Sequence, residues 1–182
     1  GGGAEKELRS NNTGAEGGSA NQVYGYVSSF DSDGFTTTAG SSNNDYFNKS
    51  SIEYVAWNWK ANGQGSSNTD GSINTTYTSV NTTAGFSISQ YEGTGSNATF
   101  GHGLGVAPKM VIVKNIDATQ NWFMYHQGIG ATQLLRLNST SGKISTSTSW
   151  NNTAPTSSVV SIGTEAGTNQ NGSTHVAYCF AE

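Results

Sequence analysis

One segment of the sequence occurs twice, and this repeat limits the folds that the chain can adopt. Residues 1–13 align with residues 128–140 and share with them two glycines and one Ala, Leu, Arg, Asn and Thr. The two copies also end alike, because residues 54–59 match residues 175–180. Equivalent positions of a repeat are expected to share structure, so the chain is predicted to contain two related modules.

The second copy has a front end that the first copy lacks. Residues 84–127 precede the match in the second copy, and nothing in the first copy corresponds to them. The first module is therefore predicted to lack its N-terminal strands and to have an open sheet edge, which proteins normally cover. Six extra residues in the first copy are placed in a surface loop around 41–45. This pattern favours a fragment or a cleavage product of a modular protein.

The composition indicates a folded all-β protein. Hydrophobic residues make up 33% of the chain, charged residues only 11%, and aromatic residues 10%. Disordered chains are usually rich in charge and poor in aromatic residues, so this composition favours small cores with large polar loops. The net charge of −4 argues against nucleic-acid binding. The longest apolar runs are far too short to span a membrane.

Short strand-forming runs alternate with turn signals along the chain. Asp-Gly pairs at 33–34 and 70–71 predict hairpin turns, because Gly accepts a positive φ and Asp tolerates it. Residues 85–91 alternate as a strand would. Residues 109–114 are apolar on both faces and predict a buried central strand, paired with 121–126 in a hairpin.

The repeat and one linker signal set the predicted domain organisation. Residues 4–11 look helical by propensity, but their partners at 132–138 read better as a strand, so both are predicted to be strands. The Gly/Ser-rich stretch 61–69 predicts a linker. The chain would then consist of a truncated first β-module, 1–69, and a complete second β-module, 70–182.

The case for catalysis in the sequence is thin. Asp31 and Asp33 lie in a turn motif and are interpreted as turn formers rather than as calcium ligands, because calcium needs about six to eight oxygens. His102 lies in a glycine-rich turn and is interpreted as structural rather than as a catalytic base. Cys179, the only cysteine, is interpreted as a small residue on a strand face rather than as a reactive thiol. No catalytic residue, metal site or cofactor is predicted.

The aromatic residues divide into predicted core and predicted ligand-binding positions. Val55, Trp57 and Trp59 would share one strand face, and the second copy has large residues at the same positions. That repetition favours a sandwich core over a sugar-binding platform. Trp150 lies in a polar, loop-like setting and is predicted to be exposed. The candidate ligand-binding residues are Trp150, Asn151, Asn152 and Tyr125.

Residues 101–114, with the sequence GHGLGVAPKMVIVK, resemble a repeat module of bacteriophage structural proteins that is common in marine phages, in tail-fibre-like and lectin-like virion proteins. The same pattern continues at 28–35, 121–126, 150–156 and 176–182. The resemblance covers essentially the whole chain. It implies two antiparallel β-sandwich modules of lectin-like or jelly-roll-like type and a place on the virion surface, and it implies no catalytic residue.

The expected function is that of a non-enzymatic phage virion protein, a fibre or appendage that contributes to host attachment, with glycan binding as one route. Two alternatives stay open: a capsid-decoration or fibre-building protein without ligand affinity, and a secreted glycan-degrading enzyme. Expected partners are other copies of the chain, other virion proteins and host surface polysaccharide. Homo-oligomers would multiply weak contacts through avidity.

Overall fold

The computed structural model of the chain describes residues 7–17, 21–41 and 48–181. These residues form an all-β structure with two very short helices among them. The chain divides into two compact units. Unit 1 comprises Gly1–Arg9 and Ala15–Asn58, and unit 2 comprises Ser10–Gly14 and Trp59–Glu182.

The described residues of unit 1 form one hairpin. Its elements are α1 (Asn21–Tyr24), β1 (Tyr26–Phe30) and β2 (Phe35–Thr38). The two strands pair antiparallel with Phe30 opposite Phe35. The Asp31 N–H donates to the Gly34 carbonyl at 2.9 Å, and the Asp31 carboxylate accepts hydrogen bonds from two neighbouring hydroxyls. The predicted hairpin turn at 33–34 is confirmed, and Asp31 stabilises that turn.

Unit 2 is built around a large antiparallel sheet. Its elements are β3 (Tyr77–Asn81), β4 (Phe86–Glu92), β5 (Ala98–Gly101), β6 (Met110–Asn115), β7 (Phe123–His126), β8 (Gln133–Arg136), β9 (Ile144–Ser145), β10 (Val159–Ile162), α2 (Ala166–Asn169) and β11 (Thr174–Phe180). The strand order of the seven-stranded sheet is β3-β4-β11-β6-β7-β8-β9, and β5 pairs with β10 in a separate two-stranded sheet.

The central strands occupy the positions that their sequences favour. The central strand β6 pairs antiparallel with β7 and with β11, which confirms both the buried strand at 109–114 and its hairpin with 121–126. The alternating segment 85–91 forms β4, as predicted. In β4 the core side is occupied by Ser87, Ser89 and Tyr91, whereas Phe86 faces the opposite side.

One hydrophobic cluster joins the large sheet to the β5–β10 pair. It includes Val111, Val113 and Phe123 from the large sheet together with Phe100 and Ile162 from β5 and β10, all at most 1% exposed. Each such side chain contributes roughly 1.5–3 kcal/mol through burial. Unit 2 therefore has a closed core of its own.

The segment 61–69, predicted to be a linker, lies along the edge strand β3. Ser66 and Thr78 exchange two backbone hydrogen bonds, and the Asn62 N–H donates to the Ser79 hydroxyl at 2.8 Å. The chain bends at the predicted Asp-Gly pair at 70–71 and reverses before Thr78. These contacts cover part of a sheet edge that would otherwise present unpaired backbone groups.

The strand predicted over residues 4–11 is wrong in its described part. Residues 7–9 have no regular secondary structure, and residues 10–11 form a turn. The matching segment of the second copy does form a strand, β8, which pairs with β7 and β9. A strand needs such neighbours because they satisfy its backbone N–H and C=O groups. Residues 4–6, and the predicted loop from residue 42 onward to 45, lie outside the described residues.

Candidate functional site

Two of the four predicted ligand-binding residues lie in the core of unit 2. Trp150 is 1% exposed and Tyr125 is 4% exposed, and their rings meet edge to face with centroids 6.1 Å apart. The prediction that Trp150 is exposed is therefore wrong. Its neighbour Ser149 is fully buried as well, and the Ser149 carbonyl accepts a hydrogen bond from the Gly163 N–H at 3.1 Å. The β10–α2 connection also donates the Glu165 N–H to the Thr148 carbonyl at 3.1 Å, and so holds this loop in place.

The other two residues of the predicted site, Asn151 and Asn152, form a turn. Their φ values are 48° and 51°, in the left-handed region, which Asn adopts more readily than most residues. The Thr153 N–H closes the turn by donating to the Trp150 carbonyl at 3.0 Å. The four residues thus combine a buried aromatic pair with a surface turn, and neither ring offers a face to a ligand.

His102 is locked into the fold rather than available as a base. Its Nδ1 accepts a hydrogen bond from the Leu104 N–H, so Nε2 carries the proton and donates to the Thr156 carbonyl, each at 3.2 Å. Burial lowers the pKa of His102. The neutral imidazole uses both nitrogens in hydrogen bonds that link the glycine-rich turn to the segment before β10. This geometry agrees with a structural role for His102.

Cys179 and His175 lie on the same core-facing side of β11. Cys179 is fully buried opposite Ser87 and Val111, and burial raises the pKa of its thiol to about 12. A thiol in this state is inert, because the thiolate is the reactive form. His175 is also fully buried and stacks on Tyr91 with ring centroids 5.3 Å apart. Both side chains pack the centre of the sheet.

Lys114 is a buried cation that serves as a structural tie. Its side chain is fully buried, and Nζ donates to the carbonyls of Asn115 at 2.7 Å and of Thr13 and Ala118 at 3.3 Å. Burial lowers its pKa to about 8. The Thr13 contact fastens the short segment Ser10–Gly14 onto β6 within unit 2. Across the described ranges, no group of three or more His, Cys, Asp or Glu side chains is placed to hold a metal ion.

The most exposed aromatic surface lies in unit 1, where the sequence predicted a core. Trp57 and Phe30 are each 73% exposed and Val55 is 72% exposed, so the prediction that Val55 and Trp57 are core residues is wrong. Trp59 is 60% exposed and lies edge to face against Phe180, with centroids 6.1 Å apart. It too lies outside the core.

Phe30, Val55 and Trp57 border a groove of about 310 Å³, which we call the unit 1 groove. Its lining residues are Val27, Phe30, Phe35, Thr37, Tyr54, Val55, Ala56, Trp57 and Asn58. One wall comes from the β1–β2 hairpin and the other from residues 54–58. Among the described residues, no charged side chain lines it. The groove can therefore hold uncharged groups with apolar faces, and its lining supplies no acid or base.

Sequence reasoning missed the groove although two signals pointed to it. Phe30 and Phe35 flank a tight turn, where a hairpin of only two strands cannot bury them. Residues 54–59 match β11 in sequence, but none of the described strands pairs with them, whereas β4 and β6 flank β11. Exposure follows directly from this imbalance, because strands bury apolar side chains only against other layers.

Comparison with known proteins identifies the family of the chain. No curated protein and no solved structure matches it. Among the described residues, no helix is long and apolar enough to cross a membrane. A family model described as a domain of unknown function, DUF7483, matches residues 2–182 and so spans both units. The chain belongs to the DUF7483 family.

Proposed function

We propose that this chain is a non-enzymatic building module of a phage surface appendage that contributes to host attachment. The observation that carries the proposal is the unit 1 groove, where large apolar side chains stand exposed beside a segment that the repeat equates with a central strand. Monomeric proteins rarely leave contiguous apolar patches uncovered unless these serve as contact sites. In a fibre or appendage, such a patch would contact the neighbouring modules.

Two related β-sandwich modules are the second part of the proposal. Unit 2 supports it, because its large sheet and the β5–β10 pair enclose one core. Unit 1 supports it through the repeat, which places its residues 54–59 in register with β11. Unit 1 would then be the same kind of module.

The position of the chain in an intact particle tests the proposed function. Antibodies raised against unit 2, which carries its own core, would be used for immunogold labelling of phage particles that encode this protein. Labelling of a tail fibre, a tail tip or a capsid appendage is expected. Label confined to the lysate of infected cells, with unlabelled particles, would contradict a virion role.

Glycan binding at the unit 1 groove is a second candidate function. Its supporting observation is an uncharged, aromatic lining around about 310 Å³, near the lower end of the usual ligand pocket range of roughly 300–1,000 Å³. Trp57→Ala should abolish binding to host surface polysaccharide on a glycan array. Tyr77→Ala, which removes an exposed aromatic ring of unit 2, should not. Equal binding by the two variants would remove the groove from consideration.

The glycan-degrading enzyme is the least supported alternative. Such an enzyme would need two carboxylates flanking the sugar, and neither Asp nor Glu is among the residues that line the groove. The buried histidines of unit 2 are fully hydrogen-bonded and face the core. Release of reducing sugar from host envelope glycans would nevertheless establish this alternative directly.

A further inference from the structure

We propose that residues 54–58 form an acceptor for two β-strands, one on each edge, supplied by a polypeptide segment with the sequence pattern of β4 and β6. The proposal rests on the assembly role proposed above and names the partner that the unit 1 groove takes. The partner is a strand pair with apolar residues at alternate positions, and its insertion completes the core of unit 1.

The first support is what β11 requires in the second copy. β11 pairs along its whole length with β4 on one edge and along most of it with β6 on the other, so its backbone is satisfied on both sides. Residues 55–58 have the matching sequence, but their backbones make no hydrogen bond to any described residue. A segment with strand-forming side chains and free N–H and C=O groups is a template for strand addition.

The second support is that residues 54–59 match β11 on both faces of the strand. In β11 the core-facing residues are His175, Ala177 and Cys179, and the opposite face carries Val176, Tyr178 and Phe180. The matching residues of the first copy are Tyr54, Ala56 and Asn58 on one face and Val55, Trp57 and Trp59 on the other. The small residue Ala56 matches Ala177, which is fully buried between flanking strands. The first copy therefore keeps the side-chain sizes that a central strand needs.

The third support is the form of the groove itself. It has apolar walls on two sides, the β1–β2 hairpin and residues 54–58, with a gap of about 310 Å³ between them. In unit 2, Val111 and Val113 of the neighbouring strand β6 lie opposite Cys179 and Ala177, and both are fully buried. Two or three aliphatic side chains from added strands would fill a gap of this size. The unpaired backbone N–H and C=O groups of residues 55–58 favour a polypeptide partner, because added strands can pair with all of them and a sugar cannot.

Hydrogen–deuterium exchange of the chain with an added front end tests the acceptor. A copy of residues 84–127 is fused ahead of Gly1, which reproduces in the first module the order found in the second. The exchange of peptides covering residues 51–62 is measured, with the peptide over β11 as an internal reference. We expect amides 55–58 to exchange at least about 100-fold more slowly than in the original chain. The control fusion carries Val111→Asp and Val113→Asp in the added copy only, and should give no slowing.

A second arm uses the original chain and covers the case of a fusion that does not fold, which would show as lost protection in β11. Synthetic peptides of residues 85–92 and 109–115 are added in excess to the unmodified protein. We expect these peptides to slow exchange at residues 55–58. A peptide of residues 109–115 that carries Val111→Asp and Val113→Asp should not slow it.

Unchanged exchange in both arms would overturn the acceptor. So would protection of 55–58 by host polysaccharide but by neither strand peptide, which would assign the groove to a glycan. Neither outcome affects the immunogold test, so a failed acceptor and a failed virion role are distinguishable.

Discussion

Residues 54–58 and the strand β11 share a sequence pattern but have opposite structural states. Ala177 and Cys179 in β11 are fully buried between two strands, whereas Val55 and Trp57 are more than 70% exposed in a segment without regular secondary structure. The two segments differ little in propensity, since both contain a Val-Ala pair followed by an aromatic residue. What differs is the set of strands beside them. The pattern specifies a strand only where other backbones are present to pair with it.

The test with the largest expected loss of stability places a charge at equivalent positions of the two segments. Ala177→Asp places an unpaired carboxylate in the centre of the unit 2 sheet and should lower the free energy of unfolding by at least about 4 kcal/mol. Ala56→Asp changes an exposed residue and should alter stability by less than about 0.5 kcal/mol. Urea unfolding followed by circular dichroism measures both. Comparable losses in the two variants would show that 54–58 is already paired in solution.

The second test compares two tryptophans. Trp150→Ala empties a buried site beside Tyr125 and should cost about 3–5 kcal/mol. Trp57→Ala removes an exposed ring and should change the unfolding free energy by less than about 0.5 kcal/mol. In acrylamide quenching, the Trp57 variant should lose accessible fluorescence and the Trp150 variant should not. The opposite assignment would restore the sequence-based prediction for both residues.

The third test uses glycines in the two units. A Cβ at Gly167, in α2, would overlap the ring of Phe123, so Gly167→Ala should destabilise unit 2 by about 1–3 kcal/mol. A Cβ at Gly34 would meet no atom, and the φ of Gly34 is not positive, so Gly34→Ala should be neutral or slightly stabilising. Thermal unfolding of both variants is the measurement. A neutral Gly167→Ala would mean that α2 packs more loosely against the sheet than the structure shows.

Local signals predicted local structure well. The hairpin turn at 33–34, the strand at 85–91 and the central strand at 109–114 all form, because turn chemistry and apolar runs act over a few residues. The same local signals gave the wrong prediction for Trp150, because it packs against core residues that are remote in sequence, such as Tyr125. The groove was missed because the repeat indicates only which strand residues 54–59 resemble. Whether they are buried or exposed depends on the strands that pair with them.

An effect that is absent at neutral pH separates Cys179 from its counterpart Asn58, which does not titrate. Burial raises the pKa of Cys179 from 9.0 to about 12, so above pH 9 the unfolded chain releases a proton that the folded chain keeps. Stability should therefore fall with rising pH between about 9 and 12, by up to about 1.4 kcal/mol per pH unit. Cys179→Ala removes this slope but adds a constant loss from the smaller side chain.

The difference between the original chain and Cys179→Ala is the quantity to measure, because Lys114 acts in the opposite direction. Its pKa is lowered to about 8, so between about pH 8 and 10.5 the unfolded chain holds a proton that the folded chain has lost, and stability rises. Lys114 contributes equally to both proteins and cancels in their difference. That difference should be constant below pH 9 and should shrink steadily above it. A difference independent of pH up to 11 would mean that the thiol ionises in the folded state and that the centre of β11 admits solvent, as residues 54–58 do.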